Sequence, residues 1–248
     1  MEKLLIRAFR AVDEPGTCEE FRREHRQVLE DFGITNVTTN TDNWCSDPDT
    51  VVIVAQTEDG RMVGGIRIEM QGKRELPLTK ALRTLDPRID RVVERLGEHG
   101  TAEVCGLWNA NRFNSRGLPN LLSMAAVSVA NQLQIRTMVC LVAHYTLRHA
   151  LRVGFTMIEE VGDGGTFTYP IPSIKALAMV IPDVRSVDTA IASNRRNIMS
   201  LRIRPEQTRI ERPGEVELEV QYALIVDRSV LALVPYRLIE EEHLRYCA

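Results

Sequence analysis

The sequence predicts a mixed α/β fold in which helices flank a mostly antiparallel sheet. Three features predict it. A β-hairpin runs through residues 51–55 and 62–70, because both segments are apolar and Asp59-Gly60 lies between them. Apolar runs of strand length alternate with helix-forming segments from residue 76 to residue 181. Gly154 directly follows a short helical segment, in the position where a glycine commonly ends a helix.

The other elements are predicted from their periodicity and flanking residues. Residues 19–32 are rich in helix formers and predict a helix. Residues 76–97 predict a helical or partly irregular connection that Pro77 and Pro87 interrupt. The remaining predicted elements are a strand at 101–108, a loop at 109–120, a helix at 121–133, a strand at 138–142, a helix at 145–153, a strand at 155–161, a turn at 162–165 and a strand at 176–181.

The alternation of short apolar runs with helix-forming segments ends at Pro182. We therefore expect residues 1–182 to form one domain and residues 183–248 to form a C-terminal extension of unknown role. In the extension, residues 184–201 predict an exposed helix and residues 215–226 a half-buried strand. The apolar run at 230–234 is a candidate partner for that strand.

Composition and charge exclude several classes of protein. Hydrophobic residues make up 44 % and charged residues 26 % of the 248 residues, a balance typical of a globular protein. The net charge of -3 argues against a non-specific nucleic-acid binder. Five cysteines without a C-x-x-C pair predict reduced thiols and no metal site. Early charges at the N-terminus argue against a secretory leader, and no apolar run is long enough for a membrane span, so a cytoplasmic location is expected.

A strand, a polar loop and a helix in succession form the first candidate site. The loop at 109–120 precedes a helix N-terminus, where free backbone N–H groups and the positive end of the helix dipole favour anions. Arg112 and Arg116 supply positive charge, and Gly117 lets the backbone approach a ligand closely. The loop therefore predicts a phosphate or diphosphate site. An ordinary surface loop with arginines is the alternative.

The segment 144–155, with the sequence HYTLRHALRVGF, resembles the closing helix and terminal Gly-Phe of the GNAT acyltransferases. The hairpin of residues 49–52 and 59–67, followed by Glu103-Val104-Cys105 and Leu107, resembles the acyl-homoserine-lactone synthases and the related N-acyl amino acid synthases. This resemblance implies a GNAT-like sheet with splayed central strands, in which the acyl thioester arm lies in the gap. The Tyr that commonly serves GNAT enzymes as an acid, four residues before the terminal Gly, is Ala150 here.

The resemblance also implies roles for individual residues. Glu103 is the candidate general base, and a structural ion pair with Arg67 or Arg26 is its alternative role. His144 is the candidate acid for the leaving thiolate, with a structural role as the alternative. The donor arm is expected at Leu107, Trp108, Asn109, Arg112, Arg116, Gly117 and Asn120, and the acceptor at Asp49, Arg67, Trp44 and Arg26.

Three of the acceptor residues have a purely structural role as the alternative. It is a surface ion pair for Arg67, closure of the turn at Pro48 for Asp49, and core packing for Trp44.

The leading hypothesis is an N-acyltransferase that moves an acyl group from acyl-CoA or an acyl carrier protein to the amine of a small amino-acid-like acceptor. It implies no permanently bound cofactor. The partners are the amine and, as an alternative donor, the carrier protein; a homodimer is left open. An acetyl-CoA-dependent acetyltransferase is one alternative function. A non-catalytic GNAT-like protein that binds an acyl ligand is the other, because the Tyr is replaced and the glycine-rich loop is reduced.

Overall fold

The strands form one sheet with the order β6-β8-β5-β4-β3-β2-β1-β10-β9, and β7 pairs with β8. The structure is a computed structural model that describes residues 1–31, 33–34, 42–214 and 216–226. The strands are Glu2–Arg10 (β1), Thr50–Thr57 (β2), Met62–Met70 (β3), Thr101–Asn109 (β4), Thr137–Ala143 (β5), Thr156–Met157 (β6), Thr166–Thr168 (β7), Lys175–Ile181 (β8), Glu206–Glu211 (β9) and Leu218–Ala223 (β10). The helices are Pro15–Asp31 (α1), Pro77–Leu82 (α2), Arg88–Gly97 (α3), Leu118–Val129 (α4), Leu147–Arg152 (α5) and Ala192–Ile203 (α6).

Most neighbouring strands in the described residues are antiparallel. The parallel pairs are β1 with β10 and β4 with β5. The predicted fold class, a mostly antiparallel mixed sheet with flanking helices, is confirmed. The predicted hairpin is confirmed as β2 and β3, which the turn at Asp59-Gly60 joins.

Alternation along the strands gives the sheet two covered faces. Ile53 and Ile66 point to one face and pack with Leu121 and Leu122 of α4. Val52 and Val54 point to the other face and pack with Phe21 of α1 and with Trp44. Because both faces are covered, a polar side chain on a central strand lies in the protein interior. In the described ranges, no helix is both long and apolar enough to cross a bilayer.

Several elements differ from the sequence predictions. The helix expected at 121–133 begins earlier, at Leu118, and ends at Val129, where a short 3-10 helix continues to Gln132. The strand expected at 155–161 is reduced to Thr156–Met157, because the chain then turns, with the Val161 N–H bonded to the Ile158 carbonyl. The strands β1, β7 and β9 were not predicted at all.

The described part of the predicted extension joins the same sheet. The helix expected at 184–201 begins at Ala192, because the buried Arg202 guanidinium bonds the carbonyls of Val184 and Arg185 and holds that segment outside a helix. The strand expected at 215–226 is Leu218–Ala223, which pairs with β1 and β9. The run 230–234, its predicted partner, lies outside the described residues.

Candidate active site

The two central strands β4 and β5 separate at Glu103. They pair in parallel through Thr101↔Thr137, Ala102↔Met138 and Glu103↔Val139, and the pairing ends there. Both strands nevertheless continue, β4 to Asn109 and β5 to Ala143. We call this divergence the fork. Beyond the fork, the facing strand edges are open to a ligand that pairs with the backbone.

A cleft of about 970 Å³ occupies the fork. Its walls include Val104 to Asn109 of β4 and Cys140 to Ala143 of β5. His25 of α1 lines it from one face of the sheet, and Val127 of α4 lines it from the other. The cleft therefore passes through the sheet. Its volume lies at the upper end of the range for small-molecule sites, roughly 300–1,000 Å³.

A β-bulge at Gly106 shapes one wall of the cleft. The register between β3 and β4 shifts between Gly65 and Arg67, so that β4 contains an extra residue there. Gly106 has φ +61°, and a Cβ at this position would lie 2.8 Å from Nη1 of Arg67. Glycine is required because it avoids both the strain and the clash. A bulge re-aims the neighbouring backbone groups, here toward the cleft side of β4.

Glu103 lies at the base of the fork and lines the cleft, although only 1 % of the residue is exposed. The main-chain N–H of Leu78 donates a 2.6 Å hydrogen bond to its Oε2. Burial raises the pKa of Glu103 to about 8; the Leu78 hydrogen bond lowers it, the nearby Glu69 charge raises it, and Arg67 lowers it. The carboxyl group therefore exchanges its proton near neutral pH, as a general base requires.

The comparisons with known proteins agree on this architecture. No family model matches the sequence, and the comparison with curated proteins gave no match. Among solved structures, FeeM, an N-acyl amino acid synthase from uncultured soil microbes, matches with a TM-score of 0.59 and 18 % identity over 75 % of this chain and 95 % of FeeM. The CoA-dependent acyl-homoserine lactone synthase MesI matches with a TM-score of 0.51 and 13 % identity, over 79 % of this chain and 94 % of MesI. This chain has the GNAT acyltransferase fold.

An acyl-CoA N-acyltransferase from Pseudomonas aeruginosa also has this fold, with a TM-score of 0.50 and 13 % identity over 73 % of this chain and 99 % of that one. The splayed central strands expected from the resemblance are the fork. At these identities the likeness establishes the fold alone.

The uncharged residues that the sequence predicted for the donor lie along one cleft. Leu107, Trp108, Asn109, Gly117 and Asn120 all line the cleft. The predicted cationic residues lie elsewhere: Arg112 is exposed, and Arg116 forms an ion pair with Glu2 while it stacks on Phe113.

The N-terminus of α4 offers fewer N–H groups than the sequence suggested. Gly117, with φ +70°, caps the helix. Pro119 has no N–H, and the N–H of Asn120 donates to the carbonyl of Gly117 at 3.0 Å. The structure therefore assembles the neutral part of the predicted donor site, without the two arginines.

Arg67 is buried with Glu69 beside the cleft. Its Nε donates a 2.8 Å hydrogen bond to Oε1 of Glu69, and its guanidinium lies 4.7 Å from the ring centroid of Trp44. Cys105 donates to the same Oε1 at 3.4 Å, and burial raises the pKa of its thiol well above its usual value. Arg67 is 1 % exposed, so this is a buried ion pair rather than the surface pair considered from sequence. The i, i+2 spacing of Arg67 and Glu69 on one strand was the signal for their contact.

The four residues predicted to hold the acceptor lie outside the lining of the cleft. Arg67 and Trp44 pack behind the Gly106 bulge. Asp49 belongs to a turn: its N–H bonds Oδ1 of Asp47, and its carbonyl accepts the N–H of Met70. Arg26 is exposed on α1. An acceptor at Glu103 would therefore meet other groups first.

Three residues that the sequence reasoning missed do line the cleft: His25, Tyr145 and His149. Burial, assisted by Arg67, lowers the pKa of His25 to about 3, so its imidazole is neutral. Its position one turn after the buried Phe21 on α1 was the available signal. Burial, with Arg148 and Arg152, lowers the pKa of His149 to about 4.

The predicted acid, His144, lies at the rim instead. It is exposed at the end of β5. Its main-chain N–H donates to the Lys175 carbonyl, and its ring contacts the ring of Tyr145. Ala150, at the position of the usual GNAT tyrosine, does line the cleft.

Proposed function

We propose that this protein is an N-acyltransferase, which moves an acyl group from the thioester of CoA or of an acyl carrier protein to the amine of a small amino-acid-like acceptor. The observation that carries the proposal is the fork, because it combines open strand edges, a cleft through the sheet and a titrating carboxyl group at one point. The acceptor class rests on the likeness to the fold of an N-acyl amino acid synthase.

The donor enters from the side of α4 and α5. Its thiol-bearing arm lies along the open edge of β4, where backbone groups pair with its amides as with an added strand. This places the thioester carbonyl beside the Gly106 bulge. Backbone N–H groups on that edge then stabilise the oxyanion that forms in the transition state.

The acceptor enters from the side of α1, where His25 and Leu78 line the cleft next to Glu103. The ionised Glu103 takes a proton from the amine, directly or through a water molecule. The nitrogen lone pair attacks the thioester carbon, the C–N bond forms, and the C–S bond breaks as the tetrahedral intermediate collapses. No covalent intermediate on the enzyme is required.

The leaving group is a thiolate. Because a free thiol has a pKa of about 8.5, a thiolate leaves readily near neutral pH, and a dedicated acid contributes little. This fits a protein in which Ala150 stands at the position of the usual acid. The proton held by Glu103 is released to the thiolate or to water.

The test uses the full-length protein with CoA, acetyl-CoA and a series of longer acyl-CoAs, first as ligands and then as substrates with a panel of amino acids. A ligand present at about 100 times its Kd should raise the free energy of unfolding by roughly 2.7 kcal/mol. Stabilisation that grows with acyl length, together with thiol release that depends on the amine, supports the proposal. Equal shifts for CoA and acetyl-CoA, with turnover of acetyl-CoA alone, favour the acetyltransferase alternative.

Glu103→Gln is the matched control for this assay, because it preserves the shape of the side chain. It should bind the donor as the native protein does and release thiol about 10²–10⁴-fold more slowly. If the native protein also binds donors without any amine-dependent release, the catalytic proposal is overturned and the acyl-binding alternative stands.

A further inference from the structure

The segment after β8 contributes directly to the donor wall of the cleft. Asn194 of α6 is 3 % exposed and Asn120 of α4 is 6 % exposed, and Nδ2 of Asn194 donates a 2.9 Å hydrogen bond to Oδ1 of Asn120. Burying two carboxamides is costly unless their hydrogen bonds are made. Asn120 lines the cleft, and the hydrogen bond that the described residues make with its side chain is the one that Oδ1 accepts from Asn194. The bond from Asn194 therefore fixes the orientation in which Asn120 presents its donor group to the cleft.

The same segment closes the N-terminus of α4. Pro213 and Gly214, between β9 and β10, line the cleft. A Cβ on Gly117 would lie 2.5 Å from Cβ of Pro213. The approach to the helix end is thus covered, at the place where an anion would otherwise meet its N–H groups.

The wall between β4 and α4 carries uncharged hydrogen-bonding side chains. They are Asn109, Asn111, Asn114, Ser115, Asn120 and Ser123. The arginines in the lining, Arg148 and Arg152, belong to α5 and not to α4. The chemistry of the α4 wall complements an uncharged, amide-containing ligand rather than a phosphate.

We propose that the Asn120 carboxamide binds an amide of the donor's thiol-bearing arm and that Asn194 is its positioning residue. This inference rests on the proposed function. It gives the segment after β8 a role in donor recognition. Two parts of the donor would then contact different places: the amide-containing arm binds on the α4 wall, and any phosphate binds elsewhere.

The experiment measures the Kd of octanoyl-CoA and of octanoyl-pantetheine for the full chain by calorimetry. Asn120→Ala should weaken binding about tenfold, the usual worth of one hydrogen bond. The loss should be the same for both donors, because the contact is to the part that they share. A loss confined to octanoyl-CoA would place the contact on the nucleotide and overturn the proposal.

Asn194→Ala should reproduce the loss, and the double variant should bind no more weakly than Asn120→Ala alone, since both changes remove one contact. Asn194→Asp should also weaken binding, because its carboxylate accepts from Nδ2 of Asn120 and turns the carbonyl toward the cleft. Additive losses would assign the two residues separate structural roles and overturn the positioning.

Asn197→Ala is the matched control on the same helix. Oδ1 of Asn197 accepts a 2.7 Å hydrogen bond from Arg209, so the variant loses a comparable bond outside the cleft lining. Its donor Kd should not change. Donor binding without turnover would overturn only the proposed function, whereas unchanged Kd values in the Asn120 and Asn194 variants would overturn only this inference. Failure of both donors to bind would overturn both.

Discussion

Glu69 and Glu103 lie directly opposite each other on β3 and β4, and their carboxyl groups have different partners. Arg67 donates to Glu69, whereas the main-chain N–H of Leu78 donates to Glu103. Burial raises the pKa of Glu103, and the facing Glu69 adds to that rise. The pair thus separates two tasks: one carboxylate anchors a buried guanidinium, and the other exchanges a proton beside the cleft.

The pH dependence of turnover tests the role of Glu103. Its carboxyl group must be ionised to act as a base, so kcat/KM should rise as the pH increases through about 8. Glu103→Gln should lower kcat by about 10²–10⁴-fold and abolish this rise. The ionisation of the amine itself can also raise the rate with pH. If kcat/KM of Glu103→Gln rises with pH as it does in the native protein, the rise is caused by the ionisation of the acceptor amine.

The same group should make stability depend on pH. Its pKa is about 8 in the folded protein and 4.5 ordinarily, so the folded state keeps a proton that the unfolded chain loses above pH 4.5. Stability should therefore fall as the pH rises from about 4.5 to about 8. Glu103→Gln has no carboxyl group at this position, so its stability should not show this fall. From pH 5 to pH 9, its free energy of unfolding should therefore rise by a few kcal/mol relative to that of the native protein, at about 1.4 kcal/mol per pKa unit.

Urea denaturation at both pH values measures that gain. Glu58→Gln, at a surface carboxylate paired with Lys3, is the control and should show no comparable change between the two pH values. An equal difference between Glu103→Gln and the native protein at pH 5 and pH 9 would contradict the assigned pKa.

The buried ion pair on β3 predicts an asymmetry between single and double changes. Arg67→Met leaves the Glu69 carboxylate buried without its guanidinium, and should cost about 3–5 kcal/mol of unfolding free energy. Adding Glu69→Gln should recover much of this loss, because neither charge of the pair is then left buried. Arg95→Met, at the exposed pair with Glu160, should change stability by less than about 1 kcal/mol. A double variant as unstable as the single one would contradict this account.

Two glycines with similar backbone angles separate conformational strain from packing. Gly60, with φ +80°, has open space around its Cβ position, so Gly60→Ala should cost about 1–2 kcal/mol from strain alone. Gly117, with φ +70°, meets Pro213 at 2.5 Å, so Gly117→Ala should cost clearly more. Equal losses in thermal denaturation would show that the contact between α4 and the β9–β10 connection is absent in solution.

Local signals in the sequence were sufficient for most of the sheet and for the base of the site. Asp59-Gly60 between apolar runs predicted β2 and β3, and an acidic residue among apolar neighbours on a strand singled out Glu103. The predicted helix ends were less accurate. Gly117, in the left-handed conformation, caps α4 before residue 121, where the apolar run predicted the start of the helix. Helix α1 likewise begins at Pro15, before the residues 19–32 that predicted it.

Contacts between distant segments could not be obtained from local patterns. The predicted acceptor residue Arg67 is held by Glu69 and Trp44 behind a bulge that only the strand register reveals. Arg116 was expected to attract an anion, but Glu2 of β1, which is far from it in the sequence, pairs with it. The Asn120–Asn194 bond likewise joins two helices that are far apart in sequence.

The parallel pairing of β1 with β10 has a consequence for the order in which the chain folds. Leu218 is synthesised long after its strand partner Glu2, because the two residues are far apart in the sequence. Until then, one edge of β1 has no neighbouring strand, although β2 can already cover the other edge. Pairs so distant in sequence close slowly and leave a strand edge open to other chains. A nascent chain that stalls before β10 would therefore expose this edge.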